Sequence, residues 1–170
     1  MAKVYLGLGS NVAPQQHLRL AIQELAKRFG VLELSNLYQN ASVGFDGDEF
    51  TNLVVGLESD ASPLEIHNII EDIHVIAKRH RGESRFAART LDIDLLLYDD
   101  LILDEPPLRV PRPDILKYSF VLGPLAEIAP DLRHPETGRL ITEHWAEFDK
   151  DSHPLTVSGV TVQDEGNNHA

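Results

Sequence analysis

Asp92 and Asp94, in the run RTLDIDLLLY, have the clearest claim to chemistry in this chain. Leu91, Ile93, Leu95 and Leu97 alternate with them and predict a strand, Thr90–Tyr98, whose apolar set turns to the core. Both carboxylates then share the other face, about 7 Å apart at the Cα level after two strand rises. Such a pair suits a hard cation. Magnesium takes one or two carboxylates and fills its shell with phosphate oxygens and water. A solvated edge strand would show the same D-x-D, so the neighbours decide. Lys78, Arg79, Arg81, Arg85 and Arg89 hold five of the fifteen cations just upstream, and Arg109, Arg112 and Lys117 follow downstream. A charge run is usually a solvated basic face. Beside two carboxylates it supplies the second part of a phosphoryl-transfer site, a cationic clamp around metal ligands.

Other candidates are weaker. Phe50 and Asn52 share a face of a predicted strand, where an aromatic ring and an amide can stack and read a flat heterocycle. A core Phe beside a structural Asn is the plainer alternative. Gly9-Ser10-Asn11 lacks the lysine of a P-loop and the spacing of a dinucleotide fingerprint, and reads as a strand-to-helix turn with Ser10 or Asn11 near the cap. The eight histidines, His74 and His134 among them, show no zinc-ligand spacing and read as structural or surface residues.

The elements that must position these groups follow from the pattern. Lys3–Leu8 alternates as a strand. Leu18, Ile22, Leu25 and Phe29 recur at helical spacing up to a stop at Gly30. Val31–Tyr38 and Phe50–Leu57 predict two strands around a loop, 40–49, too short for a crossover helix. Ser62-Pro63-Leu64-Glu65 is a capping box, and Ile66, Ile69, Ile70, Ile73 and Ala77 give its helix one apolar face. That helix should decay into the arginine-rich stretch, where Gly82 and short polar residues predict a mobile loop. Pro106, Pro107, Pro111 and Pro113 predict an irregular path, Tyr118–Ile128 a helix and Ile141–Phe148 a weaker one. The order predicts an α+β sandwich with a mainly antiparallel sheet, in the split βαβ style. Residues 1–150 are expected to form one domain, and 151–170 a flexible tail.

Composition bounds the function. The formal net charge of -12 argues against general nucleic-acid binding. The absence of cysteine excludes disulfides, thiolate metal sites and thiol nucleophiles within this sequence. MAKVYLGLGSNV lacks the order of a secretory signal, and no apolar run suits a membrane span. A cytoplasmic protein is expected.

Taken together, YLGLGSN, the Tyr38 to Gly44 turn, Phe50 and Asn52, RTLDIDLLLY, VPRP and FVLGPLAEIAPDLRHPETG resemble the 6-hydroxymethyl-7,8-dihydropterin pyrophosphokinase family of folate biosynthesis. The resemblance runs from about Val4 to about Thr142. It implies a ferredoxin-like three-layer α/β/α fold and a reaction in which the dihydropterin alcohol attacks the β-phosphorus of MgATP, with AMP leaving. It implies two magnesium ions on Asp92 and Asp94, bridging the pterin hydroxyl and the phosphates. It implies that Phe50 and Phe120 sandwich the pterin, that Asn52 bonds its ring edge, and that backbone around Asn40–Val43 completes the pocket. Arg79 and Arg89 match arginines that hold the transferring phosphates, Arg81 and Arg85 fall in a closing loop, and Arg109 and Arg112 fall to the ATP side. A monomer acting on small molecules is expected, with no nucleic acid and no membrane.

The sequence also departs from the family. Phe86, Ala87 and Ala88 replace a usual tryptophan-glycine-proline, Arg112 a histidine, His74 a glutamate, and Asn40, Ala41 and Ser42 a Thr-x-Pro. These changes sit mostly on the nucleotide side or in loops. They keep two other readings open: a diverged paralogue acting on a related pterin or small alcohol, and a non-catalytic pterin- or nucleotide-binding protein. A pure binder would have little use for the Asp92/Asp94 pair.

Overall fold

The computed structural model describes residues 1–40, 50–81, 91–159 and 162, with the side chains of 79–81 excepted. Strand β1 (Ala2–Ser10) leads into helix α1 (Pro14–Phe29). Leu18, Ala21 and Leu25 recur at helical spacing and are fully buried, so α1 forms to cover the sheet. Gly30 ends it at φ 83°, a left-handed conformation that costs glycine little, and donates its N–H to Ala26 O at 2.9 Å. The turn before α1 differs from expectation. Gly9 and Ser10 lie inside β1, and the N-cap is Ala13, with no side-chain cap. Ser10 Oγ instead donates to Val12 O at 3.1 Å, and buried His17 donates from Nδ1 to the same carbonyl at 2.7 Å.

The expected strand 31–38 is two short ones, β2 (Glu33–Leu34) and β3 (Tyr38–Asn40), both paired with β4 (Phe50–Ser59). Ser35 causes the break. Its N–H donates to Val54 O, but its Oγ, in place of a backbone carbonyl, accepts the Val54 N–H at 2.9 Å. Helix α2 (Pro63–Arg81) starts at the expected capping box: Ser62 N–H donates to Glu65 Oε1 at 2.9 Å, and Glu65 N–H to Ser62 Oγ at 3.2 Å. Its Ile66, Ile70, Ile73 and Ala77 are buried.

β5 (Asp92–Tyr98) keeps the expected alternation only to Leu95. A bulge opposite Tyr5 and Leu6 inserts Leu96, so Leu97 turns away from the Ile93 side and packs with Leu96 on the other. The proline-rich path is more regular than expected, because β6 (Leu103–Glu105) and β7 (Leu108–Val110) pair as a hairpin around Pro106-Pro107. A short α3 (Asp114–Lys117), then α4 (Ser119–Ile128) and α5 (Ile141–Glu147), follow. Beyond Asp151, where a loose tail was expected, β8 (Thr156–Val157) pairs with β3, and Val162 is buried.

The sheet order β5-β1-β4-β3-β8 is antiparallel throughout, with β2 also on β4. Two helices, α1 and α2, cover one face around Val4, Leu6, Leu8, Leu53, Val55 and Ile93. The α3, α4 and α5 residues Ile115, Leu122, Leu125 and Ile141 cover Tyr5, Val54, Leu96 and Leu97 on the other. This is the expected three-layer, ferredoxin-like sandwich. Each fully buried Leu or Ile contributes about 1.5–3 kcal/mol to holding its layers together. Among the described residues no helix is long and apolar enough to cross a membrane.

Candidate active site

The site lies where the α4 side of the sheet loses its apolar cover. On β1, Gly9 pairs with Asp92 of β5 on one side and with Asn52 of β4 on the other, and Asn52 pairs with Tyr38 of β3. One residue pair further in, Gly7 lies between Asp94 and Val54. Two glycines therefore form the floor between the acidic pair and the amide. A Cβ on Gly9 would stand 2.7 Å from Asn52 Oδ1, so only glycine leaves that amide where it is. A G-x-G on the same face of an apolar strand is the sequence signal for this floor; the turn expected at Gly9 is instead strand.

Asn52 is buried, and its Nδ2 donates to Asn40 Oδ1 across the β3–β4 pair. Asn40, expected at the pocket wall, is thus tied to Asn52, which lies diagonally from it in the ladder. Phe50 opens β4 on the same face, half-buried. Phe120 sits in the first turn of α4, which packs against β4, and stacks on Tyr118 with ring centroids 5.1 Å apart. Glu127 of α4 steadies β3: it accepts the Tyr38 hydroxyl at 2.6 Å and the Asn36 N–H at 2.9 Å. No spacing or motif singles out Glu127, because only the fold brings it to Tyr38.

Asp92 and Asp94 are half-buried on this face. Burial pushes the Asp94 carboxyl above the usual carboxylate range; nearby Arg112 opposes this, while Asp92 and Asp114 add to it. Arg112 sits between two carboxylates, with Nη2 3.6 Å from Asp94 Oδ1 and Nε 3.4 Å from Asp114 Oδ1. Nε is buried and out of line for a hydrogen bond, so the contact with Asp114 is one of charge. The Arg112 N–H donates to Leu96 O at 2.9 Å, fixing the end of β7 to β5. Asp114, which the sequence did not single out, is therefore part of the arginine's seat.

The remaining expected residues are less closely gathered. Arg109 is exposed on the hairpin opposite Asp104. Arg79 and Arg81 lie in the last turns of α2, at the end that leads towards β5. Val43, Arg85 and Arg89 lie outside the described residues, as does the expected mobile loop. His74, read from sequence as structural, accepts the Ile93 N–H at Nε2, 2.9 Å away, between the two aspartates.

Among the described residues no cluster of three or more His, Cys, Asp or Glu could hold a metal. Two carboxylates on one face, one of them partly desolvated, are nevertheless the donor set magnesium uses when substrate phosphates and water supply the rest. The residues present fit that ion.

Comparison with known proteins identifies the family. The family model of 7,8-dihydro-6-hydroxymethylpterin-pyrophosphokinase matches residues 5–130. The 2-amino-4-hydroxy-6-hydroxymethyldihydropteridine pyrophosphokinase of Pseudomonas aeruginosa is 37% identical over 145 residues, covering 83% of this chain and 88% of that protein. The enzyme of the same name from Aquifex aeolicus is 34% identical over 137 residues, covering 79% and 85%. The crystal structure of wild-type Plasmodium falciparum HPPK-DHPS superposes with a TM-score of 0.69 at 14% identity, a likeness of fold, covering 93% of this chain. This chain spans 47% of that longer one.

Proposed function

The chain belongs to the 7,8-dihydro-6-hydroxymethylpterin-pyrophosphokinase family, and from that premise we propose how its own residues carry the reaction. It transfers a pyrophosphoryl group from ATP to 6-hydroxymethyl-7,8-dihydropterin in folate biosynthesis. The alcohol oxygen bonds to the β-phosphorus, the bond from that phosphorus to the α–β bridging oxygen breaks, AMP leaves, and the alcohol proton is lost.

The observation that carries this reading is the row Asp92, Gly9, Asn52 and Tyr38 across the sheet, with Asp94 and Gly7 beside it. An amide and a carboxylate pair thus share one face of the sheet across two glycines, which supports the reading. Asn52 and Asn40 hydrogen-bond the pterin edge, with Val43 assigned to the same substrate. Phe50 and Phe120 stack on its faces, which offers a flat aromatic heterocycle about 1 kcal/mol per ring contact beyond burial. Asp92 and Asp94 would hold magnesium, two ions in our reading. Bound there, magnesium would supply neutralising charge to the phosphate oxygens and acidity to the alcohol.

Arg112 lies against Asp94 and can fork onto two phosphate oxygens where a histidine could not. Arg79 and Arg89 hold the transferring phosphates. Arg81, Arg85 and Arg109 bind the nucleotide. Every group in this scheme comes from one chain, so a monomer acting in the cytoplasm suffices. The test is AMP formation from ATP, magnesium and 6-hydroxymethyl-7,8-dihydropterin. Pterin-dependent AMP is expected, and a yield no greater than that of Asp94→Ala would refute the assignment.

A further inference from the structure

We infer that His74 is a positioning residue that fixes the backbone between Asp92 and Asp94 and thereby aims both carboxylates; this rests on the reading of that pair as the metal site. Among the described residues β5 is an edge strand, hydrogen-bonded within the sheet to β1 alone. An edge strand has one row of backbone groups without a neighbouring strand, and is free to twist unless something else takes them. Here the Ile93 N–H is taken by His74 Nε2 of α2, at 2.9 Å.

An imidazole nitrogen that accepts leaves the proton on the other nitrogen. His74 Nδ1 stands 3.5 Å from Glu71 Oε2, one helical turn earlier, which favours that tautomer. The His74 side chain is only 17% exposed, and it shares α2 with the buried Ile70, Ile73 and Ala77. The imidazole is thus anchored to a helix that is itself locked into the core. The Ile93 side chain is buried in that same core. The residue between the aspartates is held twice, by its side chain and by its N–H.

Groups that orient metal ligands without touching the metal usually matter about 10- to 100-fold in affinity. His74 does this through the strand rather than through a ligand atom. The geometry also says which replacements succeed. Glutamine carries an acceptor oxygen about as far out as Nε2, asparagine carries the same oxygen one methylene short, and leucine carries none.

The test compares His74→Gln, His74→Asn and His74→Leu. One readout is manganese binding by the substrate-free protein, followed by paramagnetic resonance. The other is hydrogen exchange of the Ile93 amide in metal-free buffer, followed by NMR. Thermal melts show which variants are folded. The glutamine variant should bind manganese within about threefold of wild type and keep Ile93 protected. The asparagine and leucine variants should bind about tenfold or more weakly and exchange Ile93 faster, with the Val54 amide unchanged. The asparagine variant stays polar and decides the matter if the leucine variant fails to fold. Equal manganese binding by the glutamine and asparagine variants, or unchanged Ile93 exchange in the asparagine variant, would overturn the inference. Neither readout needs pterin turnover, so a wild-type protein that forms no AMP would sink the functional reading and leave this one decided separately.

Discussion

The two faces of the central sheet are built by opposite rules. Towards α1 and α2, Val4, Leu6 and Leu8 of β1 and Leu53, Val55 and Leu57 of β4 form an unbroken apolar surface. Towards α4, the same strands present Tyr5 and Val54 under helices, then Gly7, Gly9 and Asn52 beyond them. One face is continuous because any gap would forfeit burial worth about 25 cal/mol per Å². The other stops halfway, and the site occupies the part that was left out. The site is made by omitting side chains from one face of the sheet, at Gly7 and Gly9.

That contrast can be broken most severely at Asp94. Asp94→Asn should lower pterin-dependent AMP formation about 1,000-fold, the scale of losing several kcal/mol of metal-assisted stabilisation. It should nevertheless leave the fold intact. The Asp94 carboxyl is held above its usual range by burial, so the native state binds this proton more tightly than the unfolded chain. Its stabilising contribution is present below the ordinary carboxylate pKa of about 4 and is lost as pH rises through the raised value. In metal-free buffer at pH 7 the asparagine variant should melt no lower than wild type. A lower melt there, with the gap persisting at pH 3, would contradict the assignment of the cost to ionisation.

On the continuous face the balance reverses. Leu53→Ala removes a fully buried side chain from beneath the helices and should cost about 2–5 kcal/mol in urea denaturation, with residual activity tracking the folded fraction. Gly9→Ala tests the floor between the two. Its Cβ must displace the Asn52 amide, so the KM for pterin should rise about tenfold, equivalent to about 1.4 kcal/mol, while the KM for ATP stays near wild type. An equal rise in both constants would mean that the floor serves more than the pterin. The smallest effect belongs to the far end of α2. Ser62→Ala should cost about 1 kcal/mol through the lost cap and leave kcat unchanged.

The same division governs what could be read from sequence. The capping box at Ser62 and the apolar stripes of α1 and α2 are local signals, and the structure has them where the pattern places them. The same-face argument for Asp92 and Asp94 needed only the strand period. Leu97 escaped that argument because a bulge is invisible to strict alternation. The split between β2 and β3 was missed because Ser35 replaces a ladder acceptor with its own hydroxyl, a choice only the partner strand reveals. The contact of Arg112 with Asp94, the bond of His74 to Ile93 and the Glu127 clamp on Tyr38 all join segments far apart in sequence. Those contacts follow from topology, which composition and spacing do not encode.

The bonds at the two margins of the sheet bear on how the protein behaves in company. On β5, the Ile93 N–H is occupied by His74 and the Leu96 carbonyl by the Arg112 N–H. On the opposite margin, β3 is covered by β8, which is only two residues long. An intruding strand would find little open template at either side, since occupied backbone groups and very short outer strands blunt edge-to-edge pairing. The residues that order the reaction centre and those that close the chain over β3 thus also serve colloidal restraint: they let a small acidic protein be crowded against copies of itself without its sheet being extended by a neighbour.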